Sequence, residues 1–102
     1  MVEVIVTKEN FQKEIMESDK PVLVDFWASW CGPCQMMGSV VAEIAEENPD
    51  IKVCKINVDE EQELAMQFNV MSIPFFAAFK NGALVNSTIG AQPKESLLQI
   101  IK

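Results

Sequence analysis

The stretch Pro21-Val22-Leu23-Val24-Asp25-Phe26-Trp27-Ala28-Ser29-Trp30-Cys31-Gly32-Pro33-Cys34 decides how this chain folds. Its first eight residues are apolar except for Asp25. Unbroken apolarity, rather than alternation, marks a strand covered on both faces, as in the middle of a parallel sheet. Beyond the strand, Gly32 permits a turn, and Pro33 suits the first turn of a helix, where its missing N–H would go unpaired anyway. A helix then runs from about Cys31 to Asn48. Met37, Val40, Val41, Ile44 and Ala45 give it one apolar face, and Pro49 stops it. Two thiols three residues apart therefore sit at a strand-to-helix junction.

The same reading extends to both ends of the chain. Val2–Val6 is a short strand, and Thr7 caps a helix over Lys8–Ser18 whose apolar face is Phe11, Ile15 and Met16. Ile51–Val58 forms a third strand. Asp59 and Gln62 have capping-box spacing for a helix reaching Phe68. Asn81-Gly82 is the strongest short hairpin signal, so Phe75–Lys80 and Ala83–Ile89 are antiparallel neighbours. Pro93 opens a last helix carrying Leu97, Leu98 and Ile101. The order βαβαβαββα predicts an α/β fold in three layers, a mixed central sheet with helices on both faces. An active site belongs at the carboxyl ends of the central strands, where Trp30–Cys34 falls. At 102 residues, one domain over 1–102 is expected.

Composition removes several classes of function. Fifteen acids against eight lysines, with no arginine, leave a net charge of −7, which repels phosphate backbones and anionic lipid. Neither nucleic acid nor membrane is an expected partner, and no stretch approaches the roughly 18 apolar residues of a membrane helix. Without histidine, no Ser-His or Cys-His hydrolase can be built and no His-ligated metal held. The opening Met1–Thr7 has no basic segment of the kind that starts a signal peptide, so a cytoplasmic location is expected. Three cysteines in a reducing compartment then argue for catalysis or metal binding over a structural disulfide.

Residues three apart on a regular helix have Cβ atoms roughly 5–6 Å apart, whereas a disulfide needs roughly 3.5–4.5 Å. Closure therefore requires Cys31 in the capping position, toward solvent, with Cys34 deeper on the first turn. Cys31 is then the nucleophile and Cys34 the resolving thiol. The helix terminus supplies about 0.3–1 kcal/mol of thiolate stabilisation. Lowering a thiol pKa from about 8.5 to about 7 takes roughly 2 kcal/mol, so hydrogen bonds to the sulfur must supply the rest. A zinc knuckle is the competing reading; it needs two further ligands, and only Cys54 or acids remain. Asp25 alternates onto the face of Leu23 and Trp27, where burial should raise its pKa. An acid satisfied by local backbone is its alternative. Lys55, alternating with Val53 and Asn57, reads by itself as a surface lysine. Ile73-Pro74 before a strand suggests a tight cis turn, against an ordinary trans proline at a strand start. Cys54, in mid-strand, reads as a small buried hydrophobe, with a regulatory thiol the lesser alternative.

Taken together, Asp25-Phe26-Trp27-Ala28, Trp30-Cys31-Gly32-Pro33-Cys34, Lys55-Ile56-Asn57-Val58-Asp59, Ser72-Ile73-Pro74, Phe79-Lys80-Asn81-Gly82 and Gly90-Ala91 resemble the thioredoxin family along nearly the whole chain. Cys-Gly-Pro-Cys is the reductase form of that family's motif. The resemblance implies a cytosolic protein-disulfide reductase that needs no bound cofactor, acts as a monomer on disulfide-containing proteins, and is recycled by an NADPH-dependent flavin reductase. It also implies that Asp25 deprotonates Cys34 and that Lys55 lies near and tunes that acid. Pro74 would be cis and face the disulfide, and the backbone of Ile73 would pair with an extended substrate segment. Trp30, Gly32, Pro33, Ile73, Gly90 and Ala91 would form a shallow apolar docking face. A specialised thiol oxidant or isomerase, and a non-catalytic binding or metal-holding module on the same fold, are the competing functions. Three departures from the family stand out. Gln35 replaces a usual lysine or arginine, Gly38-Ser39 replaces a small residue and a kinking proline, and Met71, Ser72 and Phe75 make the surroundings of Pro74 greasier.

Overall fold

The computed structural model describes residues 2–102. Five strands form one sheet in the order β1-β3-β2-β4-β5: β1 (Val4–Ile5), β2 (Val22–Trp27), β3 (Lys52–Asn57), β4 (Phe75–Lys80) and β5 (Ala83–Ile89). The first three run parallel, and β4 and β5 are antiparallel to their neighbours. Central β2 is flanked by β3 and β4, which explains its continuous apolar sequence. One face is covered by α1 (Gly32–Glu47) and α3 (Lys94–Ile101), which pack Met37, Val41, Ile44, Leu97 and Ile101 against Leu23, Val53, Phe76 and Ala78. The other face packs Val24, Phe26, Cys54 and Phe79 against Phe11, Ile15 and Leu64, the last from α2 (Gln62–Gln67). Phe68 binds this layer together, its ring centroid 5.6 Å from that of Phe11 and 5.4 Å from that of Phe79. Each large side chain buried this way contributes about 1.5–3 kcal/mol.

The β4–β5 hairpin forms as the sequence predicts. Asn81 (φ 53°) and Gly82 (φ 77°) both take the positive φ that such a turn needs. A Cβ at Gly82 would also lie 2.8 Å from the Met16 carbonyl oxygen, so glycine is required there twice over. Helix α1 runs unbroken through Gly38 and Ser39.

Four elements differ from the sequence reading. The first strand shrinks to Val4–Ile5 because it is an edge strand with only β3 beside it. The helix expected over Lys8–Ser18 is a π-helical segment, Gln12–Met16, with Glu17 N–H donating to the Gln12 carbonyl five residues back. Its start is delayed by Asn10, not capped by Thr7. Asn10 Oδ1 accepts from Thr7 N–H at 2.7 Å, and its amide donates to the Ile5 carbonyl at 3.0 Å, which fastens a turn ahead of the helix. Helix α2 starts at Gln62 rather than Asp59. Asn57 Oδ1 accepts from the N–H groups of Asp59 and Glu60, and the Gln62 amide goes to the Asp59 carbonyl, so no capping box forms. Pro93 is the extended residue before α3 and not its first helical one.

Candidate active site

Strand β2 ends at Trp27, and Ala28, Ser29 and Trp30 turn the chain into α1. Cys31 is the N-cap, extended at φ −89° and ψ 110°, with Pro33 following in the first turn. That extended residue allows Cys31 and Cys34 to be joined as a disulfide, their Cα atoms 5.2 Å apart. The Cys34 N–H, one of the helix's unpaired donors, points at Cys31 Sγ from 3.2 Å. A thiolate formed at Cys31 on reduction inherits this donor and the positive end of the helix dipole. A hydrogen bond to a charged group contributes about 1.5–3 kcal/mol, so this donor and the dipole together favour the thiolate form.

Exposure does not separate the two sulfurs as the sequence reading expects. Both cysteines are 5% exposed, because Ala28, Trp27, Val58 and Ile73 close around them. Their difference is positional. Cys31 caps the helix with its sulfur 3.9 Å from the Ile73 carbonyl oxygen, and Cys34 lies one turn in.

Asp25 is the one buried charged-type residue among those described, 2% exposed on β2. Its Oδ1 has no hydrogen-bond partner, so the locally satisfied acid does not describe it. Burial pushes its pKa from 3.8 up to about 7. Lys55 opposes that rise and Glu3 adds to it, both through space. Lys55 is the β3 residue in register with Asp25, and its Nζ lies 5.0 Å from the centre of the Trp27 ring. The plain surface-lysine reading therefore gives way to a half-buried cation beside the acid.

The Ile73–Pro74 peptide bond is cis. Pro74 is buried, Ile73 half-buried, and Gly32, Pro33 and Ala91 exposed. Trp30 is 70% exposed. Gly90 N–H donates to the Pro74 carbonyl at 2.8 Å, tying the β5–α3 loop to the cis turn. Of the residues that distinguish the surroundings of Pro74, Met71 is 88% exposed, but Phe75 points into the core, its ring centroid 5.7 Å from that of Phe26. The greasier docking loop thus reduces to Met71. Gln35 is exposed and donates to the Ser29 carbonyl, closing the junction from the helix side.

Sequence reasoning missed Asp59. Its Oδ2 accepts from Trp30 Nε1–H at 2.8 Å and so fixes the indole beside the disulfide. No local pattern signals a bond between residues 29 positions apart; Asp59 looks like a helix start because its neighbours do. Among the described residues, no three Cys, Asp or Glu side chains are grouped as metal ligands. No helix among them is long and apolar enough to cross a membrane.

The family model described as Thioredoxin matches residues 2–102. Among curated relatives, "Thioredoxin" of Alicyclobacillus acidocaldarius is 55% identical over 92 residues, covering 89% of this chain and 87% of the relative. "Thioredoxin 1" of Nostoc sp. is 48% identical over 98 residues, 95% of this chain and 92% of the relative. "Thioredoxin" of Rickettsia felis is 47% identical over 97 residues, 94% and 92% of the two chains.

Proposed function

The chain belongs to the thioredoxin family, and from that premise we propose a division of labour among its site residues. The protein is a protein-disulfide reductase. In the proposed cycle the Cys31 thiolate attacks one sulfur of a target disulfide. The target S–S bond breaks, one target thiolate leaves, and a mixed disulfide joins Cys31 to the other sulfur. Cys34 then gives its proton to Asp25 and attacks Cys31 Sγ. The bond to the target breaks, the target leaves with both sulfurs reduced, and two electrons have passed from the Cys31/Cys34 pair to it. The observation that carries this reading is the Cys31–Cys34 disulfide formed across the first turn of α1, with the Cys34 N–H aimed at Cys31 Sγ.

Asp25 suits the proton-accepting role because its pKa of about 7 lets it exist in both forms at neutral pH, and Lys55 keeps that pKa from rising further. Substrate backbone is proposed to pair with Ile73, with Trp30, Gly32, Pro33, Pro74, Gly90 and Ala91 forming the surrounding face. The family match over residues 2–102 supports a single domain over 1–102, and action as a monomer is proposed with it. A dithiol that must be regenerated belongs in a reducing compartment, which supports the cytoplasm. It also calls for an electron donor, for which an NADPH-dependent flavin reductase is proposed. A general role is proposed over a dedicated one, in keeping with relatives that carry the plain name "Thioredoxin". No bound cofactor enters the exchange, and the acidic, arginine-free surface favours protein over nucleic-acid partners.

Cys34→Ser tests this order of events. The reduced variant, mixed with a disulfide-bearing protein, should accumulate a covalent adduct through Cys31 that dithiothreitol dissolves. Accumulation through position 31 only in Cys34→Ser, and not in Cys31→Ser, supports the assignment; no adduct from either variant overturns it.

A further inference from the structure

Strand β5 ends at Ile89, and the next two residues, Gly90 and Ala91, belong to the proposed docking face, Gly90 held to Pro74 through its N–H. Past the end of a strand, backbone carbonyls lose their ladder partners and the chain is free to move unless something else binds them. Here one side chain does so. Gln92 Nε2 donates to the Gly90 carbonyl at 3.0 Å and to the Ile89 carbonyl at 3.3 Å, using both of its N–H groups. Its Oε1 accepts from Thr88 Oγ1 at 3.2 Å, so the amide itself is held. Thr88 sits in register with Phe76 on β4, and Gly90 N–H reaches the Pro74 carbonyl. Gly90 turns the chain at φ +95°, a conformation with little intrinsic preference to hold it. The loop is therefore clamped from two sides, by Pro74 through backbone and by Gln92 through its side chain.

We propose that Gln92 is a positioning residue for substrate: its amide, anchored by Thr88, holds Gly90 and Ala91 in the pose that an extended target segment meets beside Pro74. Gln92 touches neither sulfur. It acts on how well a polypeptide docks and leaves the chemistry of exchange to Cys31 and Cys34. The inference rests on the docking face proposed above. One or two neutral hydrogen bonds correspond to roughly three- to tenfold in affinity.

The experiment compares two substrates, insulin and cystamine, the second a small disulfide with no peptide segment to dock. Gln92→Ala should raise the KM for insulin by roughly three- to tenfold relative to any change in its rate with cystamine. Thr88→Val, which removes only the hydroxyl, should shift KM in the same direction and less. Ala91→Glu serves as the probe of the face itself. A raised insulin KM in Ala91→Glu with none in Gln92→Ala overturns the assignment of Gln92 alone. Equal slowing of both substrates by Gln92→Ala marks a general structural effect and also overturns it. An unchanged insulin KM in Ala91→Glu removes the docking face, and the role of Gln92 with it.

Discussion

Two buried acids lie one register step apart on adjacent strands, and they differ in almost everything that matters for function. Asp25 of β2 pairs with Lys55, and Cys54 of β3 pairs with Val24. Side chains alternate across a sheet, so Asp25 faces the layer of α1 while Cys54 faces the aromatic layer of Phe11, Phe26 and Phe79. The leading cause acting on both is the same: burial disfavours the charged form. It lifts Asp25 from 3.8 to about 7 and Cys54 from 9.0 to about 12. A carboxyl group lifted that far populates both protonation states at neutral pH, as the proposed proton transfer requires; a thiol lifted that far stays protonated. Cys31, held at a helix N-terminus, has in the Cys34 N–H a donor of the kind that Cys54 lacks. Burial alone therefore makes no site; the starting pKa and the neighbouring donors decide whether a buried acid works.

The strongest way to break this contrast is to remove one thiol from each environment. Cys31→Ser should abolish insulin reduction, a loss of at least about a thousandfold. Cys54→Ala should keep activity within about twofold and lower stability by about 1–2 kcal/mol, the effect of a small cavity. If Cys54→Ala lost exchange activity as well, Cys54 would belong to the site and the contrast would fail.

Next in size is the effect of pH on folding through Asp25. A carboxyl group whose folded pKa exceeds its unfolded value keeps its proton longer when folded. Stability is therefore unaffected by it below about pH 4, falls as pH rises from about 4 to about 7, and stays lowered above. Asp25→Asn cannot titrate. Its stability relative to the parent should improve by roughly 3–5 kcal/mol between pH 4 and pH 8, read from urea midpoints at the two pH values. A pH-independent difference would show that Asp25 ionises freely in the folded protein.

The smallest effect belongs to Lys55. Replacing it with methionine keeps the stem and removes the cation that holds Asp25 down, so the Asp25 pKa rises above about 7. The pH above which bound target is released should move upward, as followed by stopped-flow tryptophan fluorescence. Its effect at pH 7 should be smaller than that of Asp25→Asn. A release profile identical to the parent's would separate Lys55 from the acid.

How far the sequence could be read depended on how local each cause was. The hairpin and the start of β5 follow from Asn81-Gly82, whose backbone preference is its own. The junction of β2 and α1 follows from an apolar run, a glycine and a proline within a dozen residues. The π-helical segment was not legible, since three apolar residues at i, i+4 and i+5 (Phe11, Ile15 and Met16) are too few to distinguish α from π. The Asn10 bonds that delay it likewise compete with an equally plausible cap at Thr7. Phe75 could be read as part of a docking loop until its strand register turned it into the core.

The sequence by itself determined the fold class, the thiol pair and its helix-capping position, and the burial of Asp25, because hydrophobic patterning, turn chemistry and thiol spacing act over a few residues. Only the tertiary structure decided which groups meet across distance. It placed Lys55 beside Asp25, set Asp59 on the Trp30 indole, and made the two cysteines equally buried by bringing Val58 and Ile73 against them. Those outcomes depend on strand register and on loops packing against one another, and a hydrogen bond formed within 3 Å leaves no trace in residues that lie far apart along the chain.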